Sequence, residues 1–147
     1  MNWLVTLATG RPVATLARFL SAYVRYSVHV NSFLYVIANP FPGFVGAAGS
    51  YPVDVRIGVV GRQSRWITLF RIFLLLPALL FDWGLGGLLL IVGILSWFAS
   101  LVRGREPAGL QSTGAYAIGY GAQVSSYALL LTDRYPHSSP LAVLERA

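Results

Sequence analysis

The longest apolar stretch of the chain runs from Gln63 to Val102, QSRWITLFRIFLLLPALLFDWGLGGLLLIVGILSWFASLV. Its second part, Gly84 to Val102, holds 19 residues without a charge, roughly 28 Å of α-helix and enough to cross a hydrocarbon core. Its first part, Gln63 to Phe81, carries Arg71 inside and Pro77 late. Between them Phe81-Asp82-Trp83-Gly84 reads as a tight link, with an acid for water and a tryptophan for the headgroup layer. The pattern predicts a transmembrane helical hairpin. Arg62 and Arg65 flank its entrance and Arg103 and Arg105 its exit, which places both ends on the cytoplasmic side by the positive-inside rule.

Two further helices flank the hairpin, over 12–38 and 107–131. Gly-Arg with a following proline marks each start, and Asn39-Pro40 and Thr132-Asp133 mark the ends. In the first, Arg18, Arg25 and His29 recur at seven and four, a polar stripe on an otherwise apolar helix. Such a helix suits the membrane interface. The second replaces those positions with Ser112, Gly119 and Gln123, and its small residues Ala117, Gly121 and Ser125 allow close helix approach. A spanning arrangement stays open for both, more so for the uncharged second helix. In the connection, YPVDVRIGVV alternates apolar and polar residues and predicts one short β-strand. The expected fold is therefore an all-α membrane protein: a transmembrane hairpin, amphipathic or membrane-embedded flanking helices, and one strand in the connecting loop.

Sliding the chain by 94 superposes the two flanking regions. Trp3, Leu7, Gly10, Arg11, Ala14, Leu16, Tyr26, Val30, Ser32 and Pro42 fall on identical residues, without a gap. Because Trp, Arg, Tyr and Pro are among them, shared greasiness does not account for the match, and an internal repeat is expected. The expected organisation is 1–48 as the second half of a repeat unit, 49–136 as a complete unit, and 137–147 as a flexible tail.

Composition sharpens the class. Of 147 residues 56% are hydrophobic and 11% charged, and 11 basic residues, all arginine, face 5 acidic ones. This excess, in so apolar a chain, points to anionic lipid headgroups rather than nucleic acid. Arg71, about 9 Å into its helix, is expected to snorkel to the headgroups or to hold an anion within a bundle, no intramembrane acid being evident beside it. The lipid or partner contacts expected are Arg18, Arg25, His29, Arg62, Arg65, Arg71, Arg103 and Arg105. No cysteine is present, the histidines are His29 and His137 only, and no acid stands at helical spacing from His29. Neither a metal site nor a hydrolytic relay is expected, and no cofactor.

The order Tyr51-Pro52-Val53, Arg65-Trp66, Pro77, Trp97, Gly104-Arg105, Pro107, Tyr127, Thr132-Asp133 and Tyr135-Pro136 resembles a bacterial membrane family catalogued as domain of unknown function 4389. The likeness covers Tyr51 to Pro136; residues 1–42 resemble the second half of a preceding unit. It departs where the family commonly closes with Tyr-Pro-Pro-Phe, here Tyr135-Pro136-His137-Ser138, and the abrupt beginning leaves open whether Met1 is the true start. The resemblance implies fold and location, not an activity. The expected function is that of a non-catalytic, multi-pass inner-membrane accessory or scaffold protein, packing against a membrane partner or itself and against anionic lipid; the alternative is a membrane subunit of a lipid or small-solute transport system.

Overall fold

The computed structural model describes residues 2–45, 47–55, 57 and 62–137. They form four helices: α1 (Asn2–Thr9), α2 (Ala14–Leu34), α3 (Arg65–Arg103) and α4 (Ala108–Ala128). The most extensive packing is between α3 and α4; α2 lies against α4, and α1 against α3.

The hairpin expected from the sequence is not formed. The stretch Phe81-Asp82-Trp83-Gly84 is helical, and α3 continues through it and through Pro77 as one helix of 39 residues, roughly 58 Å long. The reason lies in one inward stripe. Thr68, Arg71, Leu75, Ala78, Asp82, Leu85, Leu89, Val92 and Ser96 succeed one another at alternating spacings of three and four, the period that keeps one helix face on a neighbour. Arg71, Ala78, Leu85, Leu89, Val92 and Ser96 are buried along it, and Asp82 is half-buried. A turn at Asp82 would break this seam. α3 stops instead at Gly104, whose φ of 67° closes the helix through a 2.9 Å bond from its N–H to Ser100 O.

The stripe is inverted relative to a water-soluble bundle. Thr68, Arg71, Ala78, Asp82 and Ser96 face inward among a few aliphatic residues, while Trp66, Phe73, Leu80, Trp83, Leu101 and Val102 stand exposed along the length of α3. α4 meets it with a surface of small residues: Gly114, Ala115, Ala117, Gly119 and Ala122 are buried. Side chains on Gly93 or Gly114 would run into the Tyr35 ring or the Ile37 side chain, so these glycines set how closely the elements approach.

α2 and α4 have 21 residues each, and every bound of one is that of the other shifted by 94. Both end in the same turn. Tyr35 and Leu129 occupy the bridge region, and Val36 and Leu130 follow with φ of 61° and 64°. The Ile37 N–H reaches Ser32 O at 2.8 Å and the Leu131 N–H reaches Ser126 O at 2.9 Å. Helices commonly close this way on a glycine; here a branched residue takes the left-handed position twice, at a cost of order 1–3 kcal/mol each. Gly10 (φ 69°) and Gly104 (φ 67°) correspond likewise.

The expected strand is absent from the described residues; positions 56 and 58–61 lie outside them. The alternation is real but serves side-chain burial. Tyr51, Val53 and Val55 enter the core beside α2, while Asp54 turns back to accept from the N–H groups of Gly49 (2.5 Å) and Val55 (2.7 Å). With no neighbouring strand among the described residues to complete a ladder, the segment folds against the helix instead. The tail beyond His137 lies outside the described residues.

Candidate functional site

Two polar sites interrupt the apolar bundle, and both are built on the inward stripe of α3. The first is a socket around Arg71, one helical turn beyond Thr68, where the guanidinium enters the turn that ends α4. Arg71 is 2% exposed. Its Nη1 donates to the carbonyl oxygens of Tyr127 and Thr132, the latter at 3.1 Å, and its Nη2 donates to Asp133 Oδ1 at 2.7 Å and Gln63 Oε1 at 3.3 Å. The guanidinium carbon stands 4.4 Å from the centroid of the Tyr127 ring, a cation–π distance. Gln63 Nε2 donates to Leu130 O at 2.5 Å and the Ser64 N–H to Asp133 Oδ2 at 2.7 Å. From the other side the Gln63 N–H donates to Gly10 O at 2.8 Å, and Trp3 Nε1–H donates to Thr68 O at 3.1 Å.

This corrects the expectation that Arg71 snorkels to lipid. Its partners are protein groups, and its counter-charge is Asp133, 62 residues onward, which only the antiparallel return of α4 brings near. The socket fixes the start of α3 to the end of α4 and to α1. The Nη donors meet four acceptors and an aromatic face, and Nε, without a hydrogen-bond partner among the described residues, is itself buried.

The second site is a cavity of about 280 Å³ between α2, α3 and α4. Asp82 enters it from α3; Tyr23, Ser27 and Asn31 line it from α2, and Gly121 and Ser125 from α4. A Cβ on Gly121 would come within 3.0 Å of Asp82 Oδ1, so the absent side chain is what lets the carboxylate approach α4. Of the predicted packing residues, Ala117 is buried, Gly121 half-buried and Ser125 exposed, and all three line this cavity. Asp82, expected in a water-facing link, thus lines a half-open cavity between the helices.

The polar stripe of α2 is covered by the connecting loop. His29 is fully buried, its Nε2 lies 3.4 Å from Asp54 Oδ1, and its ring stacks on Tyr51 at 4.8 Å. Arg25 Nε donates to Val55 O at 3.4 Å. His29 therefore makes no lipid contact, and the acid missing at helical spacing comes from the loop. Ser32, one turn on, makes no side-chain hydrogen bond among the described residues. Burial raises the Tyr51 hydroxyl above the usual phenol range, so it acts as a donor, to Pro40 O at 2.7 Å. Arg18, Arg62, Arg65, Arg103 and Arg105 are exposed, so five of the eight predicted lipid or partner contacts remain free to meet one. Sequence reasoning missed Gln63, Asp133 and Asp54; for the first two an amide or acid next to a predicted helix end was the available signal, whereas Asp54 stood inside the predicted strand.

Glu106, after α3, accepts from Ser96 Oγ at 2.7 Å, and burial raises its carboxyl above the ordinary 4.5, the hydroxyl opposing this in part. The fold thus favours the protonated acid. The associated stability is full below pH 4.5 and declines as the pH rises through the higher folded-state value. The melting temperature of the native chain should fall over that rise relative to Glu106→Gln; parallel profiles for the two would show that this carboxyl carries no linkage.

No curated protein and no solved structure matches the chain. The family model that matches spans residues 65–139, which takes in α3, α4, the terminal turn and the whole of the Arg71 contact except Gln63. By this match, over half of its length, the chain belongs to the family described as Domain of unknown function (DUF4389).

Proposed function

We propose that this chain is a non-catalytic, multi-pass scaffold of the bacterial inner membrane, in which α3 spans the lipid and the exposed arginines meet anionic headgroups. The observation that carries the reading is the inverted stripe of α3. Among the described residues it is the one helix long and apolar enough to cross a membrane, and its large apolar side chains point away from the protein. Such a surface is costly in water and costs nothing in hydrocarbon. Polar groups turned inward and paired, as at Arg71, are what a lipid-embedded bundle requires. The shared backbone of α2 and α4, with the sequence identities at the same offset, supports an internal repeat.

The test is extraction and vesicle binding. The protein should stay with membranes through alkaline carbonate and leave only with detergent. Reconstituted into vesicles, the native chain should recruit added phosphatidylglycerol around it more strongly than Arg18→Gln with Arg103→Gln, by about 1 kcal/mol per removed charge. Carbonate-soluble protein would end the membrane reading; equal lipid enrichment would end the headgroup role alone.

The Asp82 cavity favours a second reading, a subunit that passes or holds a small polar solute, since an acid in a bundle interior commonly marks such a path. Asp82→Asn distinguishes the two: the scaffold tolerates it, whereas a solute path would lose flux with assembly intact.

A further inference from the structure

The turn that seats Arg71 exists twice in this chain, and only one copy is filled. Phe33, Ala38, Asn39 and Phe41 stand 94 positions before Tyr127, Thr132, Asp133 and Tyr135, on the same backbone. The aromatic pairs even share their arrangement: Phe33 and Phe41 meet edge-on at 5.4 Å and 75°, Tyr127 and Tyr135 at 5.7 Å and 74°. Their surroundings differ. Tyr127 is 1% exposed beneath α3, whereas Phe33 is 40% exposed, and Phe41 and Phe44 extend the open aromatic surface. Leu130 and Gly10, which accept from Gln63, are buried; their counterparts Val36 and Gly104 are half-buried and exposed. Trp3 donates to Thr68 O, while its counterpart Trp97 is 56% exposed. Phe33, Val36, Gly104 and Trp97 are thus more open than the positions they match, whereas Ala38, at 8% exposure, is more covered than Thr132.

We propose that the turn around Phe33 and Asn39 is a docking seat for an apolar helix of the same kind as residues 62–84, presented by a different polypeptide and carrying a donor side chain toward the Phe33 and Ala38 carbonyls. The occupant is an α3-like helix because the matching backbone in this chain already holds one by these acceptors. It is neither this copy's α3 nor a second copy's, since α3 is engaged in its own socket through Arg71. Tyr51 supplies a single long bond to Ala38 O, 3.4 Å, and among the described residues no side chain reaches Phe33 O. Asn39 in place of Asp133 removes the counter-charge, so the seat takes an arginine weakly as it stands and more tightly once an acid is restored. The inference rests on the membrane reading above for the apolar nature of the occupant, though the seat is independent of the lipid role.

The experiment uses the full chain in detergent micelles with a synthetic peptide of residues 62–84 carrying photoreactive leucine at position 75. Crosslinks should map to residues 33–45. Phe33→Ala with Asn39→Ala should weaken the peptide by about tenfold, and Asn39→Asp should strengthen it by a similar factor, with helical content unchanged in both. Crosslinks confined to residues 127–135 would mean that the peptide merely replaces α3 and would overturn the proposal, as would an affinity indifferent to Asn39→Asp. Self-association of the full chain through this face without peptide would assign the seat to a second copy and equally overturn it. Failure of carbonate resistance, by contrast, would remove the scaffold reading and leave these crosslinks unaffected.

Discussion

Arg71→Ala should destabilise the protein by about 3–5 kcal/mol, the cost typical of removing one partner from a buried charged network. Four acceptors lose a donor together: Asp133 Oδ1, Gln63 Oε1 and the carbonyls of Tyr127 and Thr132. The buried Tyr127 carbonyl would keep the Leu130 N–H alone, at 3.2 Å, and the part-buried Thr132 carbonyl would lose the guanidinium; acceptors that lose a partner away from water are expensive. Asp133 keeps 26% exposure of its side chain and regains some hydration, which places the expected loss toward the lower end. Thermal unfolding in detergent measures it. Pairing the change with Asp133→Asn should cost less than the two single losses combined, by about 1–3 kcal/mol of coupling. A single-variant loss below about 1 kcal/mol would class the contact with exposed ion pairs and remove the socket as the clamp between α3 and α4.

The second large effect is topological. A hairpin returns Arg62 and Arg103 to one side of the membrane; a continuous α3 separates them. Roughly 58 Å of helix exceeds the ~40–45 Å of a bilayer with its headgroups, so a spanning α3 has its ends in opposite compartments. α4 must then recross, because its terminal turn is bonded to Gln63, Ser64 and Arg71 at the start of α3. The chain contains no cysteine, so single substitutions report without background. Impermeant thiol reagents applied from outside should distinguish Arg62→Cys from Arg103→Cys, and Arg134→Cys should behave as Arg62→Cys does. Equal labelling of positions 62 and 103 would restore the hairpin, or remove α3 from the bilayer.

Both results turn on whether a short run with Asp, Trp and Gly is a link or a helix. In isolation Phe81-Asp82-Trp83-Gly84 has the composition of a membrane-surface turn, and each 19-residue side of it is long enough to span. The spacing of Thr68, Arg71, Ala78, Asp82, Leu85 and Leu89 carried the opposite message, but a search for apolar periodicity overlooks a stripe in which polar and small residues stand among the aliphatic ones. In a lipid-facing bundle that stripe is the inside.

The sequence by itself determined what depends on neighbours along the chain: the two flanking helices, the Gly-Arg breaks at Gly10 and Gly104, the apolar length of residues 65–103, and the correspondence at 94 that the backbone of α2 and α4 follows. It also marked Arg71 as the costly residue. Only the tertiary structure decided where that cost is met. Asp133 and the Tyr127 carbonyl lie 62 and 56 residues from Arg71, and their approach depends on α4 lying antiparallel along α3. For the same reason Asp54 could not be assigned to His29, nor Asp82 to a cavity wall. Hydrogen bonds act over about 3 Å, and which groups come that close is set by how helices pack.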